Sequence, residues 1–144
     1  MNIAITLFEE TNIISLRTAF VIDVDGFVDL QLLPIKFPTR DTGLDVRKRE
    51  YLEWYEQFYV KMYQHQNAKL EYDFGLKKLA FLDAPKMKAV WDGSGNSVAV
   101  CMNDEPWAFI DHKSSRGYSK GIIESKYGLG KPWDQKLFEE IFFR

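Results

Sequence analysis

The sequence predicts an α+β fold in a single domain spanning residues 1–144, with an antiparallel sheet of hairpins and a meander packed against one long central helix and a C-terminal helix. Three observations predict it. In the stretch VIDVDGFV, apolar β-branched runs flank Asp25-Gly26, and Asp-Gly is a strong signal for a two-residue hairpin turn because Gly supplies the positive φ that the turn needs. Between Thr42 and His65, apolar residues recur at the helical period. Between Met87 and Asp111, three short apolar runs are separated by clusters of turn formers, the pattern of an antiparallel meander.

Taken in order, Ile3, Ile5 and Leu7 alternate with other residues, so Ile3 to Phe8 is expected as a strand. Ser15 to Leu33 reads as a hairpin about Asp25-Gly26, whose second arm partly alternates apolar residues with Asp29 and Gln31. Pro34 and Pro38 are expected to end the pairing, since proline donates no ladder hydrogen bond. Thr42-Gly43-Leu44-Asp45 resembles a capping box opening a helix to about His65. Its apolar face carries Leu44, Tyr51, Leu52, Tyr55, Phe58, Tyr59 and Met62, with Trp54 and Tyr63 at the margins, and that stripe is read as core-facing. Met87–Trp91, Ser97–Met102 and Trp107–Asp111 form the meander, joined through Asp92 to Asn96 and Asn103 to Pro106. Gly117 to Tyr127 is expected as a helix. Pro132 at the first helical position opens the last one, burying Trp133, Leu137, Phe138, Ile141 and Phe142.

A chain of 144 residues can bury roughly 70% of its unfolded surface, enough for a real core. A formal net charge of −2 supplies no general attraction to nucleic acid or anionic membranes, so neither is expected as a partner. Acid is concentrated early: through Asp45, seven acids (Glu9, Glu10, Asp23, Asp25, Asp29, Asp41, Asp45) stand against three bases (Arg17, Lys36, Arg40). Cys101 is the one cysteine, which excludes an intrachain disulfide and a cysteine-rich zinc site. With no basic, apolar leader and no apolar run of membrane-spanning length, the sequence is read as that of a soluble cytoplasmic protein, and no cofactor or metal is called for.

Four patterns carry possible chemistry. Asp23-Val24-Asp25-Gly26 resembles the first motif of the haloacid-dehalogenase phosphatases, which would make Asp23 a nucleophile and Asp25 an acid/base, with Lys86 or Lys88 and Asn103-Asp104 as later elements. Phe27 stands at the position where that family has Thr, and two residues between apolar runs leave no room for a crossover helix, so the turn reading is preferred. Asp23, Asp25 and Asp29 begin a calcium-loop spacing, but Gln31 and Pro34 fall where further ligands are required. His65 and His112, the two histidines, form a conceivable acid/base pair. His112 to Lys120 mixes basic, hydroxyl and aromatic groups suited to phosphate or RNA, or to a solvated turn.

The constellation Trp91-Asp92-Gly93-Ser94-Gly95-Asn96-Ser97-Val98 followed by Trp107-Ala108-Phe109-Ile110-Asp111-His112 is similar to the central part of SUKH-type immunity domains, over about residues 90–112. Those are small bacterial proteins that neutralise polymorphic toxins, including toxins of contact-dependent growth inhibition. The resemblance implies a non-catalytic protein that covers the active site or substrate-binding face of a cognate toxin with a basic surface. The residues expected to meet that partner are Asp104, Glu105, Trp107 and Asp111 on the late meander and Asp23, Asp25 and Asp29 on the early hairpin, with aromatics as anchors and acids steering encounter. For Trp107 the alternative is an ordinary core residue. A phosphatase-like enzyme and a small RNA-binding module are the competing functions.

Overall fold

Asp25 and Gly26, with φ of 54° and 90°, form a two-residue turn between β2 (Arg17–Val24) and β3 (Phe27–Ile35), as the Asp-Gly signal requires. The computed structural model describes residues 4–35, 58–66, 68, 74–125 and 128–143. Within them, β1 (Ala4–Thr11), β2, β3 and β4 (Tyr59–His65) pair antiparallel in that order, and β5 (Lys78–Leu79) joins β4 in parallel. A second five-stranded sheet has the order β10-β9-β8-β7-β6, built from β6 (Met87–Trp91), β7 (Val98–Met102), β8 (Glu105–Asp111), β9 (Arg116–Ser119) and the parallel β10 (Lys131–Pro132).

The two sheets pack face to face. Val21, Leu30 and Val60 from the first and Val98, Val100 and Ile110 from the second share one apolar core. Ala99 and Phe109 point to the far side of the second sheet, where Phe138 of helix α1 (Gln135–Phe142) covers them. Every residue of β7 is therefore buried, because one face meets the first sheet and the other the helix layer.

The expected helix over Thr42 to His65 is corrected at its end: Tyr59–His65 is a central strand, and positions 42–57 lie outside the described residues. The fold class is corrected with it, to two β-sheets with, among the described residues, one short helix at the C-terminus. The physical reason is long-range pairing. Val60, Met62, Tyr63 and Gln64 are all buried in a strand flanked by β3 and β5, and tertiary burial overrides a periodicity that aromatic and β-branched residues can satisfy in either conformation. Gly117 to Tyr127 is likewise not a helix from its start, since Arg116–Ser119 is β9 and Gly117 lies against Val60 and the Tyr59 carbonyl. A side chain at Gly121 would overlap the Met62 carbonyl, so these glycines mark where the sheets approach most closely.

Two proline expectations shift. Pairing continues past Pro34 to Ile35 because the register slips between Arg17 and Thr18, the bulge at which a missing N–H is tolerated. Pro132 sits in β10, and the last helix is capped instead by Asp134, whose carboxylate accepts from the Leu137 N–H at 3.0 Å. The apolar face expected of that helix is the one that packs on Phe109.

Candidate functional site

The connection from β1 to β2, Asn12 to Leu16, turns its polar atoms inward. The Asn12 side-chain oxygen accepts the N–H groups of Ile14 and Ser15, both at 2.9 Å, and its main chain bonds Leu16 and Arg17. The Ser15 hydroxyl donates to the Gly95 carbonyl at 2.6 Å, on the turn between β6 and β7. Arg17 then reaches Asn96 at 2.8 Å and the ring of His112 at 3.2 Å. A loop tied this way leaves its apolar side chains outside: Ile13 is 91% exposed, Ile14 72% and Leu16 50%.

Two more turns complete this end of the molecule. Asp92 accepts the N–H groups of Asn96 and Ser97 and the Ser94 hydroxyl, which shapes the turn after β6. Asp111 does the same after β8, accepting from the Lys113 and Ser114 N–H groups and from the Ser114 hydroxyl at 2.7 Å. Between the turns lies a cleft of about 500 Å3, lined by Asp92, Ser94, Asn96, Asp111, His112 and Lys113 and closed on one side by Ile141 and Phe142 of α1.

His112 is held neutral. A guanidinium can only donate, so the ring nitrogen facing Arg17 accepts and the proton sits on the other nitrogen. Burial, then the Arg17 charge, lower its pKa from the ordinary value, outweighing the opposing pull of Asp111 and Asp92. Its ring stacks on Phe58, beside the start of β4, while His65 closes that strand seven residues further on, roughly 20 Å away at the rise of an extended chain. The two histidines therefore do not form an acid/base pair.

The other expected partner-binding residues are scattered rather than gathered. Asp104 and Glu105 project from the β7–β8 turn, at the opposite end of the second sheet from Asp111, and pair with Lys88 at 3.5 Å and Lys120 at 3.3 Å. Trp107 is 8% exposed and donates its indole N–H to the Met62 carbonyl at 2.8 Å, so of the two alternatives for it the structure gives core. Asp23 lies at the far end of the first sheet, bonded to His65 at 2.8 Å and to the Gly26 N–H at 2.9 Å. Asp25 is the exposed tip of the hairpin. Asp29 is buried, accepting from Gln31 at 3.0 Å with Lys61 at 3.8 Å, and burial raises its pKa more than those partners lower it.

Asp23 stands just before a tight antiparallel turn and Asp25 within it, without the parallel strand and crossover that the phosphatase reading needs. His112 to Lys120 is a turn running into β9, not a loop at a helix N-terminus. Among the described residues no group of three or more His, Cys, Asp or Glu side chains is placed to hold a metal ion, and no helix is long and apolar enough to cross a membrane. The Asn12 loop was not singled out by the sequence reading, although Asn followed at two and three positions by residues whose N–H it can accept is an Asx-turn pattern. Comparison with protein-family models, curated proteins and solved structures finds no match for this chain.

Proposed function

We propose that this chain is a non-catalytic binding domain of the toxin-immunity kind, and that it docks on a basic cytoplasmic protein through the end that carries Ile13, Ile14 and Leu16. The observation that carries the reading is the exposure of Ile13 and Ile14, at 91% and 72%, on a loop whose backbone is pinned by Asn12 and Ser15. Isolated apolar side chains on a surface are ordinary, but adjacent isoleucines held at the tip of a rigid loop present apolar area that needs little further ordering on binding. Preorganisation of this sort favours affinity because the loss of chain entropy has already been met on folding.

The surroundings favour a basic partner. Glu9 and Glu10 are exposed on β1 just before the loop, and Asp92 and Asp111 line the adjoining cleft, against Lys113, the Arg17 guanidinium held between Asn96 and His112, and a neutral His112. Such an arrangement gives an apolar anchor beside acids that steer encounter. The buried Cys101 thiol, whose pKa burial raises, is inert and suits a reducing compartment.

The test is co-expression with the products of neighbouring reading frames. A growth-arresting product that the native chain neutralises, and that Ile13→Asp with Ile14→Asp does not, supports the reading. Neutralisation that survives both substitutions moves the interface elsewhere, and the absence of any toxic neighbour removes the immunity role.

A further inference from the structure

We infer that a second cleft, beside β9, is a binding site for a phosphate monoester. It has a volume of about 360 Å3 and lies where Tyr59 at the start of β4, the turn into β9 at Ser115 and Arg116, and the segment 128–131 come together. The fold fixes its walls. The Leu129 carbonyl accepts from the Lys61 N–H of β4 at 2.9 Å, whereas Lys131, two residues on, pairs with Tyr118 of β9, so this segment spans from one sheet to the other. The Tyr59 hydroxyl donates to the Gly128 carbonyl at 2.9 Å and ties the rim to β4. Gly117 leaves part of the wall as bare backbone, because any side chain there would collide with Val60.

Charge points to the ligand. Among the described residues that line the cleft, Arg116 and Lys131 are both cationic and no acid is present. Neither cation is ion-paired with a described residue, whereas Lys61, Lys88 and Lys120 each face a carboxylate. Two like charges lining one concavity repel one another, and a single dianion neutralises both. A phosphate monoester carries a charge near −2 at neutral pH and presents three strong acceptor oxygens, which suit a guanidinium fork, an ammonium and the hydroxyls of Ser115 and Ser125. A carboxylate or a phosphodiester offers a single charge per group. The cleft is within the range of small-molecule sites and larger than phosphate itself, which leaves room for the esterified group.

The experiment is titration of the isotope-labelled full chain, followed by amide resonances, with inorganic phosphate, with adenosine 5′-monophosphate and with a short oligouridylate, each against chloride at matched ionic strength. Saturable shifts at the Gly117, Gly128 and Gly130 amides are expected with phosphate and at lower concentration with the nucleotide. Arg116→Gln or Lys131→Gln is expected to weaken binding roughly tenfold, and the two together to abolish it, with an unchanged melting temperature because both side chains are exposed. Binding should also weaken as pH falls through about 6, where the monoester loses its second charge. The proposal is overturned if the shifts do not saturate, if they persist in the double variant, or if the oligouridylate binds more tightly than the nucleotide.

Discussion

The indole N–H of Trp107, on the second sheet, donates to the main-chain carbonyl of Met62, on the first, at 2.8 Å. Met62 is the residue skipped where the register of β3 and β4 shifts, between the pairs Val28 with Tyr63 and Asp29 with Lys61. The bulge turns that carbonyl toward the facing sheet, and the Ser119 hydroxyl reaches the same oxygen at 3.3 Å. Side-chain donors thus join the sheets at the point where Gly121 also approaches.

Trp107→Phe keeps most of the apolar volume and removes the stronger donor. The buried carbonyl is left with the longer Ser119 bond, so the expected loss of stability is about 1–3 kcal/mol. Trp107→Ala also opens a cavity and is expected to cost about 3–5 kcal/mol. Urea denaturation of the two variants checks the order. Because the ring is buried, Trp107→Phe is expected to leave the association rate with any protein partner unchanged.

His112 gives the fold a pH dependence whose sign follows from its environment. Its pKa is lowered on folding, by burial first and by Arg17 second, so the unfolded chain binds the proton more readily. The stability that this group contributes is fully present above the unfolded value of about 6.5 and is lost as pH falls below it toward the lower folded value. Asp29 acts in the opposite direction. Its pKa is raised by burial, so its contribution is present at low pH and is lost as pH rises through the raised value. The comparison that isolates the histidine is native chain against His112→Gln: between pH 7 and pH 5 the denaturation midpoint of the variant is expected to fall less steeply. An equal slope in both would mean that burial and the Arg17 charge together do not lower the His112 pKa on folding.

Where the sequence was legible, a local signal had one outcome. Asp25-Gly26 and the turn formers around Asp92 to Asn96 and Asn103-Asp104 placed the hairpins, because positive φ at Asp25, Gly26, Gly95, Asn103 and Asp104 is a demand that few residues meet. The last helix was legible because Leu137, Phe138, Ile141 and Phe142 share a face that no strand pattern fits, with Trp133 packed beside them from just before the helix. Tyr59–His65 was not, because Tyr59, Met62 and Tyr63 satisfy a helical stripe as well as they fill a buried strand, and the neighbours that decide are Asp29 to Gln31, about thirty positions away, and Lys78-Leu79. The candidate site was hidden for a related reason. Asn12, Ser15 and Arg17 acquire meaning only when Gly95, Asn96 and His112 are brought beside them, some 80 to 95 positions along the chain.

Asn12 and Ile13 separate the rigidity of the docking loop from its chemistry. Asn12→Ala removes the acceptor for two main-chain N–H groups, those of Ile14 and Ser15, while leaving both isoleucines in place. The exposed N–H of Ile14 can turn to water, so the expected loss of stability is about 1 kcal/mol. A loosened loop must be ordered again by the partner, so binding is expected to weaken roughly tenfold with the apolar contacts unchanged. Ile13→Ala with Ile14→Ala does the reverse: stability should stay within about 0.5 kcal/mol, because both side chains stand in solvent, while dissociation from the partner accelerates. Asp104→Lys with Glu105→Lys, at the other end of the second sheet, serves as the control: the changed net charge slows the salt-screened encounter with a basic partner, but dissociation should stay unaltered. If the charge reversal accelerates dissociation and the isoleucine variants dissociate normally, the docking surface lies at the Asn103-Asp104 turn and the exposed loop is incidental.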